Sequence, residues 1–106
     1  MKFIITPFFL NQVQKLEKKY INISKDLESF EKNIESESSF SRLGKGLFKY
    51  RIKNSSIPVG KRGGFRIIVK VLDGKYLPLI IFPKTEKDNV KDIEIIQAFE
   101  AVIQQI

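Results

Sequence analysis

The sequence contains no cysteine and no histidine, and these two absences exclude the most familiar chemistries of small proteins. Without cysteine, neither a disulfide framework nor a thiolate metal site can form. Without histidine, the commonest metal ligand and the commonest general base are both missing. Any reaction that this chain catalyses must therefore use other side chains.

Long apolar runs are missing as well. The opening segment Met1–Ile5 is too short for the core of a signal peptide, and Pro7 and a polar helix follow it. No stretch approaches the length needed to cross a bilayer. We therefore expect a cytoplasmic protein. Because 42% of its 106 residues are apolar, we also expect a single domain at 1–106 around one core.

Acidic residues are scarce in the middle of the chain. Residues 41–84 hold eleven Lys or Arg and one acid, Asp73, whereas residues 1–40 hold six of each sign and residues 85–106 hold two bases and five acids. A basic segment between neutral and acidic flanks is expected of a protein that binds a polyanion such as RNA or DNA. A solvated, lysine-rich surface explains the charge excess alone equally well.

Two amphipathic helices are predicted after a short first strand at Met1–Ile5. Thr6 can cap the first helix with Pro7 in its first turn, and apolar residues at helical spacing extend it to about Tyr20. The same spacing over 23–34 predicts a second helix that packs on the first as a helical hairpin.

Strand-like alternation begins after a predicted loop at 36–46. Three strands are expected, at 47–53, 65–72 and 75–83. The Asp73-Gly74 pair predicts a hairpin between the last two, and Pro78 predicts a bulge or a missing ladder bond. The predicted elements follow the order β-α-α-β-β-β-α, which is an α+β arrangement with four strands.

The last predicted element is a C-terminal helix capped by Asp88 or Asn89. Its apolar stripe consists of Val90, Ile93, Ile96, Phe99, Ile103 and Ile106. This stripe is broader than a small sheet needs, so part of it is expected to be exposed and available to a protein partner.

Three ordered segments resemble the RelE/HigB branch of the type II toxins, in the RelE/ParE superfamily. They are Gly46-Leu47-Phe48-Lys49-Tyr50-Arg51-Ile52-Lys53, Gly60-Lys61-Arg62-Gly63-Gly64-Phe65-Arg66-Ile67-Ile68 and the stretch from Leu79 to Asp88. The resemblance covers about half the chain. It implies an α+β fold with a small, twisted, mostly antiparallel sheet, and a toxin of a toxin–antitoxin system that inhibits translation as a ribosome-dependent mRNA endoribonuclease (an mRNA interferase). It also implies a cognate antitoxin. We expect no cofactor and no membrane partner.

The resemblance also assigns the site residues. The catalytic positions it implies are Arg51, Lys53, Arg66 and Lys84, and the RNA-binding positions are Lys49, Lys61, Arg62 and Phe82. The chain departs from the family pattern at two adjacent positions. Related sequences often have tyrosine at the position of Phe82, and Pro83 is atypical there. The phenylalanine can stack on a base but has no hydroxyl, and a core position for its ring is the alternative interpretation.

Strand parity supports a shared basic face, because side chains cooperate only if they emerge on the same side of a sheet. On that face, we expect Lys53 or Lys84, crowded by other cations, to transfer a proton, and Arg51, Arg62 and Arg66 to clamp the phosphate. Metal assistance is disfavoured because the basic region has a single carboxylate. Two other functions remain open: a non-catalytic nucleic-acid-binding module, and a gyrase-directed toxin of the same fold.

Overall fold

The computed structural model describes residues 2–58, 60 and 63–106. Among these residues, the strands are β1 (Lys2–Phe3), β2 (Phe40–Gly44), β3 (Leu47–Ile52), β4 (Phe65–Leu72) and β5 (Lys75–Pro83). The helices are α1 (Pro7–Glu17), α2 (Ile23–Asn33) and α3 (Asp92–Ile103), with a short 3-10 turn at Ile34–Ser36. The predicted α+β class is confirmed. None of the described helices is long and apolar enough to span a bilayer.

The sheet has five strands in the order β1-β5-β4-β3-β2 rather than the four that the sequence predicted. β1 runs parallel to β5, and the other three pairings are antiparallel, so the sheet is mixed but mostly antiparallel. The additional strand is β2, which lies in the predicted loop 36–46. Its five residues show no clear alternation of apolar and polar side chains, and it becomes a strand by pairing with β3 across a turn at residues 44–46, where all three φ angles are positive.

The predicted turns and strand bounds in the second half of the chain are confirmed. β4 and β5 have the predicted limits, and Asp73 and Gly74 join them with φ angles of 50° and 72°. The register between β4 and β5 shifts at Val69, which pairs with Pro78, so the predicted bulge is present.

The helix ends differ from the predictions. α1 begins at Pro7, and the hydroxyl of Thr6 accepts a hydrogen bond from the Phe9 N–H, so the predicted cap is confirmed. This helix ends at Glu17, a turn earlier than expected. α3 begins only at Asp92, where the Glu94 carboxylate accepts from the Lys91 N–H, and neither Asp88 nor Asn89 caps it.

Two apolar clusters cover the two faces of the sheet. α1 and α2 pack on the face that carries Tyr50, Ile67 and Val69. α3 packs on the opposite face, which carries Ile68 and Leu79. Because α3 lies mainly over β5, the part of this second face that β2, β3 and β4 form beside it is left for polar side chains.

Candidate nucleic-acid site

The basic hollow is a pocket of about 280 Å³ on the α3 face of the sheet. It is lined by Ser41, Lys49, Arg51, Arg66, Lys84 and Asp88. Four cationic side chains from β3, β4 and the end of β5 therefore meet one carboxylate in a single concave site. Four of the sequence-predicted site residues are brought together here: Lys49, Arg51, Arg66 and Lys84.

Strand register explains why these side chains meet. Arg51 on β3 lies directly opposite Arg66 on β4, so the two emerge on the same face as cross-strand neighbours. Lys49, two residues before Arg51, lies opposite Ile68 and points to that face as well. Lys84 follows β5, where its backbone N–H donates to the carbonyl of Gly64 at 2.9 Å.

Arg66 forms the buried wall of the basic hollow. Arg66 is only 7% exposed, although Arg51 on the neighbouring strand is exposed. Burial, and then the charge of Arg51, lower the pKa of the Arg66 guanidinium from its ordinary value. A guanidinium stays protonated at neutral pH, so both arginines carry positive charge at a short separation. An anion bound between them would relieve this repulsion and receive charge-assisted hydrogen bonds.

Two residues of the connection between β5 and α3 contact the lysines of the basic hollow. The Nζ of Lys84 lies 3.2 Å from a carboxylate oxygen of Asp88 and donates to the Asp88 carbonyl at 3.1 Å. The Nζ of Lys49 donates to the Oδ1 of Asn89 at 3.4 Å. The Asp88 side chain is 93% exposed, so its ion pair with Lys84 is weak and can be replaced by a stronger anion.

Sequence reasoning did not identify Ser41 or Asp88 as site residues. Ser41 was hidden because β2 was interpreted as loop. Asp88 was interpreted as a helix cap, although its spacing of four residues from Lys84 was a usable signal for a side-chain pair. In the described residues, no three Asp or Glu side chains lie close enough together to hold a metal ion.

Phe82 does not have the environment that a stacking role needs. It shares the face of the basic hollow, directly opposite Arg66, as parity predicted. However, it is only 4% exposed and packs with Ile68, Leu79 and Val90 in the cluster under α3. Phe82 thus occupies the core position that was the alternative interpretation, and because a covered ring offers no face to a base, an RNA-binding role for it stays a prediction that the structure does not favour.

Lys53 lies apart from the basic hollow. β3 ends at Ile52, so the parity that relates Lys53 to Arg51 no longer applies, and Lys53 lines a different pocket with Asp26 and Asn33 of α2. The structure thus does not bring this predicted catalytic residue to the other three. The remaining predicted RNA-binding residues, Lys61 and Arg62, lie outside the described residues.

No family model, curated protein or solved structure matches this chain significantly. Its function has to be inferred from the side chains of the basic hollow together with the sequence motifs.

We predict that Lys53→Ala leaves the mRNA cleavage that the sequence resemblance implies almost unchanged. An exposed lysine outside the basic hollow should alter the activation free energy by no more than about 0.5 kcal/mol, or roughly twofold in rate. Rates of mRNA cleavage for this variant and the unmodified protein, measured side by side on translating ribosomes, check the prediction. A loss of a hundredfold or more would return Lys53 to the catalytic group.

Proposed function

We propose that this protein is the toxin of a type II toxin–antitoxin system and that it cleaves mRNA on the ribosome. The observation that carries the proposal is the convergence of Lys49, Arg51, Arg66 and Lys84 on one concave site. The sequence resemblance to RelE/HigB toxins supports the same activity. A cytoplasmic location, where translating ribosomes are found, is part of this proposal.

RNA is the polyanion that suits this site best. The pocket is small and concave, which fits one phosphate and its ribose better than the flat backbone of a long duplex. Arg51 and Arg66 would hold the non-bridging phosphate oxygens, and Lys49 would contact the neighbouring phosphate. Because Phe82 is covered, the site would grip the backbone without stacking a base on that ring.

The proposed reaction is transfer of the phosphate to the ribose itself. The 2′-oxygen attacks the adjacent phosphorus and loses its proton, the bond from phosphorus to the 5′-oxygen breaks, and that oxygen takes up a proton. The products are a 2′,3′-cyclic phosphate and a 5′-hydroxyl end. We assign the proton transfers to Lys84 and Asp88, which line the same hollow, and the stabilisation of charge on phosphorus to Arg51 and Arg66.

A cognate antitoxin is the proposed protein partner. The outer face of α3 leaves Ile93, Ile96 and Ile103 exposed, as is Ile106 beyond the helix, and an apolar surface of this kind favours a protein ligand. Co-expression with the product of an adjacent gene should yield a complex that does not cleave mRNA. Separate elution of the two proteins, with cleavage unchanged, would count against this partner.

Mapping of mRNA ends tests the activity. The purified protein should produce new 5′-hydroxyl ends in mRNA on translating ribosomes, within the translated part of the message. The alternative is a non-catalytic RNA-binding protein, which the absence of histidine and the covered Phe82 favour. Binding to RNA without any new ends would establish that alternative and end the proposal of catalysis.

A further inference from the structure

The turn after β5 fixes the position of Lys84. The Lys84 N–H is held by the Gly64 carbonyl at 2.9 Å, and the N–H groups of Glu86 and Lys87 both donate to the Pro83 carbonyl at 3.1 Å. These bonds define the turn, but they leave its tip exposed at Thr85 and Glu86. A further contact at Glu86 therefore decides how firmly the turn is held.

That contact comes from the other side of the sheet. The hydroxyl of Tyr20 donates to the Glu86 carboxylate, and the Nζ of Lys19 lies 3.1 Å from the same carboxylate. Tyr20 is 2% exposed, and its ring meets Phe65 edge-on with 5.4 Å between centroids. The donor is thus fixed in the core, whereas the acceptor lies on the turn that carries Lys84.

The carboxylate form of Glu86 is the form that this contact favours. The hydrogen bond from Tyr20, and then Lys19, lower the pKa of Glu86 below its ordinary value. The hydrogen bond from Tyr20 to the Glu86 carboxylate is therefore fully formed at neutral pH, where the proposed reaction would occur.

We propose that Tyr20 and Glu86 are positioning residues, which hold the turn so that Lys84 stays at the edge of the basic hollow opposite Arg51 and Arg66. The inference rests on the proposed function, because it assigns a role in the reaction to residues that do not touch the RNA. Its physical basis is that a displacement of about 1 Å in a reacting group can lower a rate by about a hundredfold. Lys19 shares the same carboxylate, but it is exposed and contributes less than the buried hydroxyl.

Two variants remove the hydrogen bond between Tyr20 and Glu86, one by removing the donor and the other by removing the acceptor. Tyr20→Phe removes only the hydroxyl and keeps the ring packed on Phe65, and Glu86→Ala removes the acceptor. We expect each to lower kcat for mRNA cleavage by roughly tenfold, with the Kd for single-stranded RNA within about twofold, because Arg51 and Arg66 remain in place. Glu86→Gln keeps an oxygen that can accept from Tyr20 and should recover most of kcat.

Glu17→Ala is the matched control, because Glu17 is an exposed α1 carboxylate whose hydrogen bond is with Ser24, away from the turn. A merely structural role would change the stability of all the turn variants without separating kcat from Kd. If kcat of Tyr20→Phe and Glu86→Ala matches that of Glu17→Ala, or if RNA binding falls as much as kcat does, the inference is overturned.

Hydrogen exchange separates this inference from the proposed function. The Lys84 N–H, bonded to Gly64, should exchange at least several times faster in Tyr20→Phe than in the unmodified protein, measured without RNA. Unchanged exchange at Lys84 would overturn the positioning role even in a protein that cleaves mRNA. Absence of cleavage by the unmodified protein would instead refute the proposed function. Faster exchange of the Lys84 N–H in Tyr20→Phe would still show that the hydrogen bond between Tyr20 and Glu86 holds the turn.

Discussion

Replacement of Arg66 by alanine is expected to lower the rate of mRNA cleavage by about two to three orders of magnitude, the usual cost of removing one preorganised donor to a developing charge. Arg66 is the most buried cation of the basic hollow, and it lies directly opposite Arg51. Among the described residues that line the basic hollow, Arg66 is the one that β4 contributes. Arg66→Lys should retain part of the activity, because it keeps the charge but loses the two parallel N–H groups.

The fold should survive this change. Arg66→Met fills most of the space of the arginine stem without its charge, so it separates lost packing from lost chemistry. Arg42→Ala is the matched control, because Arg42 is an exposed arginine of β2 that lies opposite Phe48 and faces away from the basic hollow. Cleavage rates on translating ribosomes, with thermal unfolding of each variant, provide the measurement. Full cleavage by a folded Arg66→Ala protein would remove Arg66 from the mechanism.

Replacement of Phe82 by alanine is expected to lower the free energy of unfolding by about 3–5 kcal/mol, the usual cost of removing a buried phenylalanine ring. The ring packs with Ile68, Leu79 and Val90, so its loss leaves a cavity between the sheet and α3. Phe40→Ala on the edge strand β2 is the control, because that ring is only half-buried and its loss should cost less. Denaturant unfolding at neutral pH measures both.

Phe82→Leu tests the stacking role directly. Leucine keeps the position apolar, so we expect it to cost less than about 1.5 kcal/mol in stability and to leave RNA affinity within about twofold. A ring that stacks on a base contributes about 1–3 kcal/mol to binding. A stable Phe82→Leu protein that has lost this much affinity for RNA would restore Phe82 to the site and show that the structure changes when RNA binds.

Much of the sheet could be predicted because local patterns specified it. The limits of β4 and β5, the Asp73-Gly74 turn and the cap at Thr6 depend on neighbouring residues alone, and all are present. β2 could not be predicted, because its short sequence shows no clear alternation and becomes a strand only by pairing with β3. The start of α3 was misplaced because Asp88 and Asn89, both good capping residues, precede Lys91.

The candidate site was predicted in part. Alternation along each strand, with the expectation that every strand turns its more apolar side to the helices, placed Lys49, Arg51 and Arg66 on one face, and the register of β3 and β4 agrees. The same alternation could not predict the position of Lys53, because β3 ends at Ile52. It placed Phe82 on the correct face but could not show that α3 covers the ring, because that depends on residues far along the chain.

By itself, the amino-acid order of this protein determined the charge of its central segment, the class of its fold and the face from which most of its basic residues project. These properties follow from composition and from the repeat of each backbone conformation, which act over a few residues. Only the tertiary structure decided which cations share a pocket, that Asp88 joins them, and that Tyr20 reaches Glu86 from the opposite side of the sheet. Those relations join residues distant in sequence, and packing of the helices on the sheet is what brings them together.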